Sequence, residues 1–181
     1  WALGAKYHYL TTISYSGHSE GVPGFPESSA RADIRFPQFV VAGISFRPND
    51  KWNIEFNVDW TDWDNVNEIV FKDTPLTQLL GSEPLFPLHW QSSFMYEFGI
   101  TRQLGKGYNV SLGYFYSENS VPDATFNPIV PDTDLHLGSL GFGHRGKRWH
   151  WNIAYHFAIG PTRTVTGNQQ PPPTTETADG K

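Results

Sequence analysis

Residues 51–60 read KWNIEFNVDW, and Trp52, Ile54, Phe56, Val58 and Trp60 alternate without a slip against Asn53, Glu55, Asn57 and Asp59. Successive side chains of a strand point to opposite sides of its sheet, so this period of two defines a strand whose faces meet different surroundings. Two environments satisfy it. A soluble sandwich buries the apolar face against a second sheet, whereas a membrane barrel turns that face outward to lipid and keeps the polar face inside.

The alternation recurs along the chain. In residues 1–16 (WALGAKYHYLTTISYS) one face carries Trp1, Leu3, Ala5, Tyr7, Tyr9, Ile13 and Tyr15. Residues 34–47 place Val40, Ala42, Ile44 and Phe46 together, with Pro37 marking a bulge or the start of the strand. Residues 90–102 set Phe94, Tyr96, Phe98 and Ile100 against Ser93, Met95, Glu97 and Thr101. Residues 108–117 set Tyr108, Val110, Leu112, Tyr114 and Tyr116 against Asn109, Ser111, Gly113 and Phe115. The Gly-rich stretch 133–144 turns Leu140 and Phe142 outward, and residues 149–159 set Trp149, Trp151, Ile153, Tyr155, Phe157 and Ile159 against His150, Asn152, Ala154 and His156. With the opening segment these make seven predicted strands.

Strands this long exceed the soluble mode of about 5–6 residues and suit the roughly 9–11 tilted residues that cross a bilayer. The connections 47–51, 102–107 and 144–148 are tight, while 17–32, 64–88 and 118–132 are long. Strict alternation of short turns and long loops is the habit of an outer-membrane up-and-down barrel, and Trp52, Trp60, Trp63, Trp90, Trp149 and Trp151 sit toward strand ends as an interfacial girdle would. The fold expected is therefore all-β, an antiparallel up-and-down transmembrane β-barrel. An odd count of strands cannot close in lipid with both edges satisfied, so the chain is expected to be incomplete or to assemble with other chains.

Composition adds limits. The chain has 181 residues, 38% hydrophobic and 15% aromatic, and no cysteine, which rules out a disulfide framework and thiolate-held metal. A net charge of −5 without a basic stripe argues against nucleic acid as a partner. The residues after 160, PTRTVTGNQQPPPTTETADGK, read as a polar, Pro-rich loop or tail, so 1–160 and 161–181 are taken as barrel part and loop.

The order FPQFVVAGISFRPNDKWNIEFNVDWTDWDNV, a long loop, then YEFGITRQLGKGYNVSLGYFYSENSVPDATFNPIVPDTDLHLGSLGFGHR resembles the C-terminal half of the outer-membrane transporters for long-chain fatty acids and aromatic hydrocarbons, the FadL and TodX type family. Phe36 and Pro37 stand where that family has Leu-Pro, Trp52 follows a turn, Trp60 to Trp63 end the next strand, and Val121, Pro122, Pro131, Asp132 and Asp134 match its Val-Pro and Pro-Asp-x-Asp-Arg. Leu135 replaces the family's Arg and Ser120 a common second Pro. The resemblance implies strands seven to thirteen of a fourteen-stranded barrel in the bacterial outer membrane, monomeric when complete, with tight turns periplasmic and long loops extracellular. It implies passive transport of hydrophobic molecules, fatty acids or aromatic hydrocarbons, among membrane lipid and lipopolysaccharide, without cofactor, metal or covalent chemistry. Capture would occur at an outer groove, followed by a site in the lumen and sideways release through the wall.

Candidate contacts follow. Val22 and Phe25 are apolar groups on the loop 17–32, and Leu76, Leu79, Leu80 and Phe86 lie on 64–88, with one helical turn suggested around 76–80. They form either a substrate-binding rim or a cap in which loops pack on one another. Met95 and Phe115 are the large apolar groups directed to the lumen, where they meet cargo or fill space. Glu55, Asp59 and Glu97 face the lumen without a nucleophile beside them, so no catalytic residue is expected. His150 and His156, about 20 Å apart along a strand, are too distant for one metal ion. Whether His136, His144 and His150 meet across strands is left open. Two other functions remain at this point: a diffusion porin for small hydrophilic solutes, and a soluble carbohydrate-binding β-sandwich stacking sugars on Trp52, Trp60 or Trp151.

Overall fold

A computed structural model describes residues 1–19, 27–74, 77, 81–83, 85–128 and 130–168. Eleven strands lie among them: β1 (Ala2–His8), β2 (Thr11–Ser19), β3 (Ser28–Phe36), β4 (Phe39–Asn49), β5 (Trp52–Thr61), β6 (Glu68–Lys72), β7 (Leu85–Pro87), β8 (Ser93–Gly105), β9 (Tyr108–Ser117), β10 (Leu135–Arg145) and β11 (His150–Ile159). Two short 3-10 turns, η1 (Trp63–Asn65) and η2 (Asp123–Thr125), complete the elements. A seven-stranded antiparallel sheet runs β1-β4-β5-β8-β9-β10-β11, and a second sheet of four strands runs β2-β3-β6-β7.

The larger sheet is the open arc of a barrel wall. Its register places Leu3, Ile44, Phe56, Phe98, Tyr114, Gly138 and Phe157 side by side across all seven strands. On the other face the neighbouring row is Gly4, Gly43, Asn57, Glu97, Phe115, Leu137 and Ala158. The apolar row is open: Phe56 is 43%, Phe98 45% and Phe157 55% exposed. A soluble sandwich would bury those rings, so the uncovered apolar face removes that alternative. The buried hydrophobic residues among those described, Val66, Leu88, Val121 and Val165, lie outside the strands altogether.

Aromatic groups band the outer face at both ends, as amphipathic rings do at membrane interfaces. At the tight-turn end Tyr108 stacks on Phe142 with centroids 5.9 Å apart, Phe142 meets Trp151 edge-on at 5.5 Å, and the Arg102 guanidinium lies 5.1 Å above Trp52. At the long-loop end Tyr96 stacks on Tyr116 at 6.4 Å, and the Tyr114 hydroxyl, reaching up from the middle row, pairs with His136 Nδ1 at 2.7 Å. The eight steps from Trp52 to Trp60 rise about 27 Å along the strand, or roughly 20 Å after a barrel tilt near 40°, close to the apolar band of about 25 Å that such barrels carry.

Sequence expectation and structure differ at the long-loop end. The chain forms eleven strands among the described residues where seven were expected. Residues 1–16 form β1 and the start of β2, separated at Tyr9 and Leu10, and residues 34–47 span the end of β3 and most of β4, separated at Pro37 and Gln38. Pro37 has no N–H to give the ladder, so the break falls where a donor is missing. One register nevertheless runs through it, from Ala2 opposite Ser45 to His8 opposite Phe39, and on from Thr11 opposite Phe36 to Ser19 opposite Ser28. β2 and β3 thus extend the β1/β4 hairpin into the stretch 17–32, and β6 and β7 occupy part of 64–88. The Gly81 N–H donates to the Thr77 carbonyl at 3.1 Å, an i to i−4 bond in the stretch where a helical turn was expected.

The faint alternation of β10 has a cause in packing. Gly141 and Gly143 face inward, and a Cβ there would collide with the Ser111 hydroxyl and with the Asn152 side chain respectively. The tight turn after β8 takes Gly105, Lys106 and Gly107 all at positive φ, of 92°, 52° and 84°, which the two glycines adopt without strain.

Candidate functional site

At the long-loop end, the inner face of the wall and the segments above it enclose a cavity of about 400 Å³. Trp63, Trp90 and Met95 give it an aromatic and thioether side, and Val121, Val130 and Pro131 close it from the segment between β9 and β10. Trp63 and Trp90 meet edge to face with centroids 5.1 Å apart, a favourable arrangement of ring quadrupoles. Thr61, Ser93, Ser117 and Ser120 add hydroxyls, and Asp59, Glu118 and Asp132 add carboxylates.

Hydrogen bonds fix each wall of this cavity. Asp62 accepts from Gln38 Nε2 at 2.6 Å, from Ser92 Oγ at 3.2 Å and from Asn65 Nδ2, while Asp64 accepts the Ser92 N–H at 2.9 Å. These bonds tie η1, which carries Trp63, to the start of β8. Ser93 and Ser120 share a buried hydroxyl bond of 2.7 Å, and the Gln91 N–H donates to the Ser120 carbonyl at 2.8 Å. The Pro-Asp-x-Asp stretch then grips the turn opposite: Asp132 Oδ2 accepts the Ser120 and Val121 N–H groups at 2.7 and 3.2 Å, and Asp134 Oδ1 accepts the Asn119 N–H at 2.8 Å.

Arg163 completes the roof from more than thirty residues away in sequence. Its Nε and Nη2 donate to Asp123 Oδ1 at 3.2 and 2.7 Å, Nη1 to Asn119 Oδ1 at 2.8 Å and to the Asp132 carbonyl at 2.7 Å, and Nη2 to the Val121 carbonyl at 2.5 Å. The same guanidinium lies 4.9 Å above the Phe126 ring, and the side chain is 15% exposed. Leu135, at the position where an arginine was expected from the family pattern, stands in β10 opposite Ser117. The guanidinium that organises this segment comes from residue 163 instead.

Bonding to Arg163 holds the Asp123 carboxyl below the usual carboxylate range, outweighing the opposing effect of burial. A depressed folded value means that the contribution to stability is complete above the unfolded value near pH 4 and drains away as pH falls through the folded one. Limited digestion with an acid-active protease is therefore expected to cut the segment 118–132 of the full-length protein at about pH 2.5 and to spare it at about pH 5. Equal cutting at both would remove the ionic clasp.

The sequence-derived candidates separate. Val22, Phe25, Leu76, Leu79 and Leu80 lie outside the described residues. Phe86 sits in β7 opposite Ile69, away from the cavity, and Phe115 faces inward between Glu97 and Leu137 but does not line it. Of the described candidates Met95 alone reaches the cavity. Trp63 and Trp90, expected in the girdle, line it too. Neither lies in a strand, because β5 ends at Thr61 before η1 carries Trp63 and Trp90 precedes β8, so strand parity gave no signal for them.

Glu55, Asp59 and Glu97 bind separate neighbours: Asn53 Nδ2 at 2.7 Å, Thr61 Oγ1 at 3.5 Å and Asn57 Nδ2 at 3.3 Å. His136 and His144 share the outer face with Tyr116 and Tyr108, whereas His150 stands opposite Arg145 on the inner side, so the three histidines do not converge. No group of His, Asp and Glu suited to a metal ion occurs among the described residues.

The sequence model of a family described as outer membrane protein transport protein (OMPP1/FadL/TodX) matches residues 1–176. A crystal structure of a Pseudomonas aeruginosa FadL homologue superposes with a TM-score of 0.72 at 19% identity, over 86% of this chain and 39% of that one. That likeness concerns the fold, and the chain spans well under half of that protein's length. No curated protein sequence matches the chain.

Proposed function

Because the chain belongs to the OMPP1/FadL/TodX family of outer membrane transport proteins and so forms part of a bacterial outer-membrane β-barrel, we propose that it serves passive transport of hydrophobic molecules across that membrane. The observation that supports this reading is the aromatic-lined cavity of about 400 Å³ on the inner side of the wall, beneath the long loops. Cavities of roughly 300–1,000 Å³ with mostly apolar linings and a few fixed polar groups are the usual form of small-molecule sites.

In this reading the long loops are extracellular and the tight turns periplasmic. Val22, Phe25, Leu76, Leu79, Leu80 and Phe86 contribute to an apolar capture rim, and Met95 and Phe115 meet cargo on the lumen side. Residues 1–160 supply barrel wall, and 161–181 supply a further extracellular loop. The complete barrel works as a monomer, surrounded by lipid and lipopolysaccharide, and transfers cargo without covalent chemistry.

The test is uptake by liposomes containing the full-length protein. Saturable entry of a long-chain or aromatic hydrophobic compound, with a small sugar retained outside, is the expected result. Sugar flux with no hydrophobic preference would overturn it in favour of a diffusion porin.

A further inference from the structure

We propose that the wall binds the headgroup of an anionic phospholipid at the outer corner where the tight turns 102–107 and 144–148 meet. The inference rests on the family's place in the outer membrane and on the tight turns being periplasmic, and it is independent of the cargo. Charge is distributed unevenly along the barrel axis. The turns 47–51, 102–107 and 144–148 together hold seven Lys or Arg and a single acid, Asp50, whereas the long segments 17–32, 64–88 and 118–132 hold two Lys or Arg and nine Asp or Glu. No Asp or Glu occurs from Phe98 to Ser117 or from Leu135 to Gly160, so the strands that meet at this corner bring cations without acids.

These cations begin where the lipid-facing band ends. Arg102 stands opposite Trp52 on the outer face, its guanidinium 5.1 Å above the indole ring, and Tyr108 meets His144 with centroids 4.3 Å apart. The two turns are joined to each other: the Arg145 N–H donates to the Gly107 carbonyl at 2.8 Å, and His144 Nε2 lies 3.2 Å from the Lys106 carbonyl. Adjoining strands run roughly 5 Å apart, so this bonding sets Lys106 on one turn beside the exposed Lys147 and Arg148 on the next.

Completion of the barrel does not cover this corner. β5, β8, β9 and β10 each have a neighbour on both sides within the chain, so further strands add only beyond β1 and β11, and whatever fills the lumen lies on the opposite face. The outer side of Trp52, Arg102, Tyr108 and His144 therefore meets the leaflet itself. Aromatic rings seat at headgroup depth, and a guanidinium beside them offers paired donors to a phosphate. Turns this tight present little surface beyond the headgroup layer, which favours a lipid over an acidic protein as the occupant. Each cation at a membrane surface raises affinity for anionic lipid about fivefold, and salt screens the gain.

The experiment places the full-length protein in nanodiscs of equal parts phosphatidylglycerol and phosphatidylcholine with matched acyl chains, and native mass spectrometry counts the lipid of each class that it retains. Phosphatidylglycerol is expected to be retained about tenfold over phosphatidylcholine at low salt, with most of that preference lost in about 0.5 M NaCl. R102Q/K106Q is expected to cut the preference about fivefold or more, whereas R31Q/K72Q, which removes the same charge from the sheet at the long-loop end, leaves it unchanged. If R102Q/K106Q fails to fold, the salt series on the wild-type protein decides. No preference in the wild type, or one that salt leaves intact, overturns the site and leaves the basic turns to water or an acidic protein. A preference that R102Q/K106Q does not reduce, or that both variants reduce equally, also overturns it. None of these outcomes alters the liposome result on which the transport reading depends.

Discussion

Arginine at position 98 is expected to cost the folded barrel about 2–4 kcal/mol, the penalty for a cation on the lipid face near mid-membrane. Phe98 sits in the outer row between Phe56 and Tyr114, midway between the two aromatic bands, and is open on that face. A guanidinium there has no partner in the row and must drag water or a headgroup inward. One residue earlier the chain faces the other way, and Glu97→Gln only alters a 3.3 Å bond from Asn57, a change worth below about 1 kcal/mol. Unfolding of the full-length F98R and E97Q proteins in vesicles, read from the fraction that keeps its folded mobility on a gel, measures both. A tolerated F98R beside a damaging E97Q would mean that the two faces are assigned the wrong way round.

The second large effect is at the roof. Arg163→Ala removes five hydrogen bonds at once and leaves the Val121 and Asp132 carbonyls and the Asp123 carboxylate without their shared donor. Hydrogen bonds to charged groups contribute about 1.5–3 kcal/mol each in isolation, but these act as a unit and part of the loss is recovered by water, so about 2–4 kcal/mol of local stability is the expected cost. Opening of the segment 118–132 should then rise by roughly 30-fold or more, seen as faster amide exchange at Val121. Arg163→Lys should recover little, because a single ammonium cannot serve oxygens arrayed around a planar fork. Exchange at Val121 unchanged in R163A would show that Asp132 and Asp134 hold the turn unaided.

The wall was legible in the sequence because its code is redundant. Seven stretches repeat a period of two, and in an up-and-down meander each tight turn dictates its own neighbours. β3 escaped notice because its apolar positions include Ala30 and Ala32, whose small side chains give faint contrast to Arg31, Asp33 and Arg35. β6 and β7, of 5 and 3 residues, are too short for any period to declare itself. The cavity was hidden for another reason. Its walls depend on bonds such as Ser92 to Asp62 and Arg163 to Asn119, between residues 30 and 44 apart, and no local pattern encodes such pairings.

The unbroken register through the gap at Tyr9–Leu10 and Pro37–Gln38 also constrains how this protein can change over generations. Side chains alternate along one ladder from the membrane wall to the sheet above it, so one residue gained between Tyr9 and Leu10 would turn Ile13 and Tyr15 to the opposite side. Only a matching gain near Pro37, or a gain of two, keeps both faces as they are. Relatives of this chain should therefore differ in length at this bend by even steps or by compensated pairs.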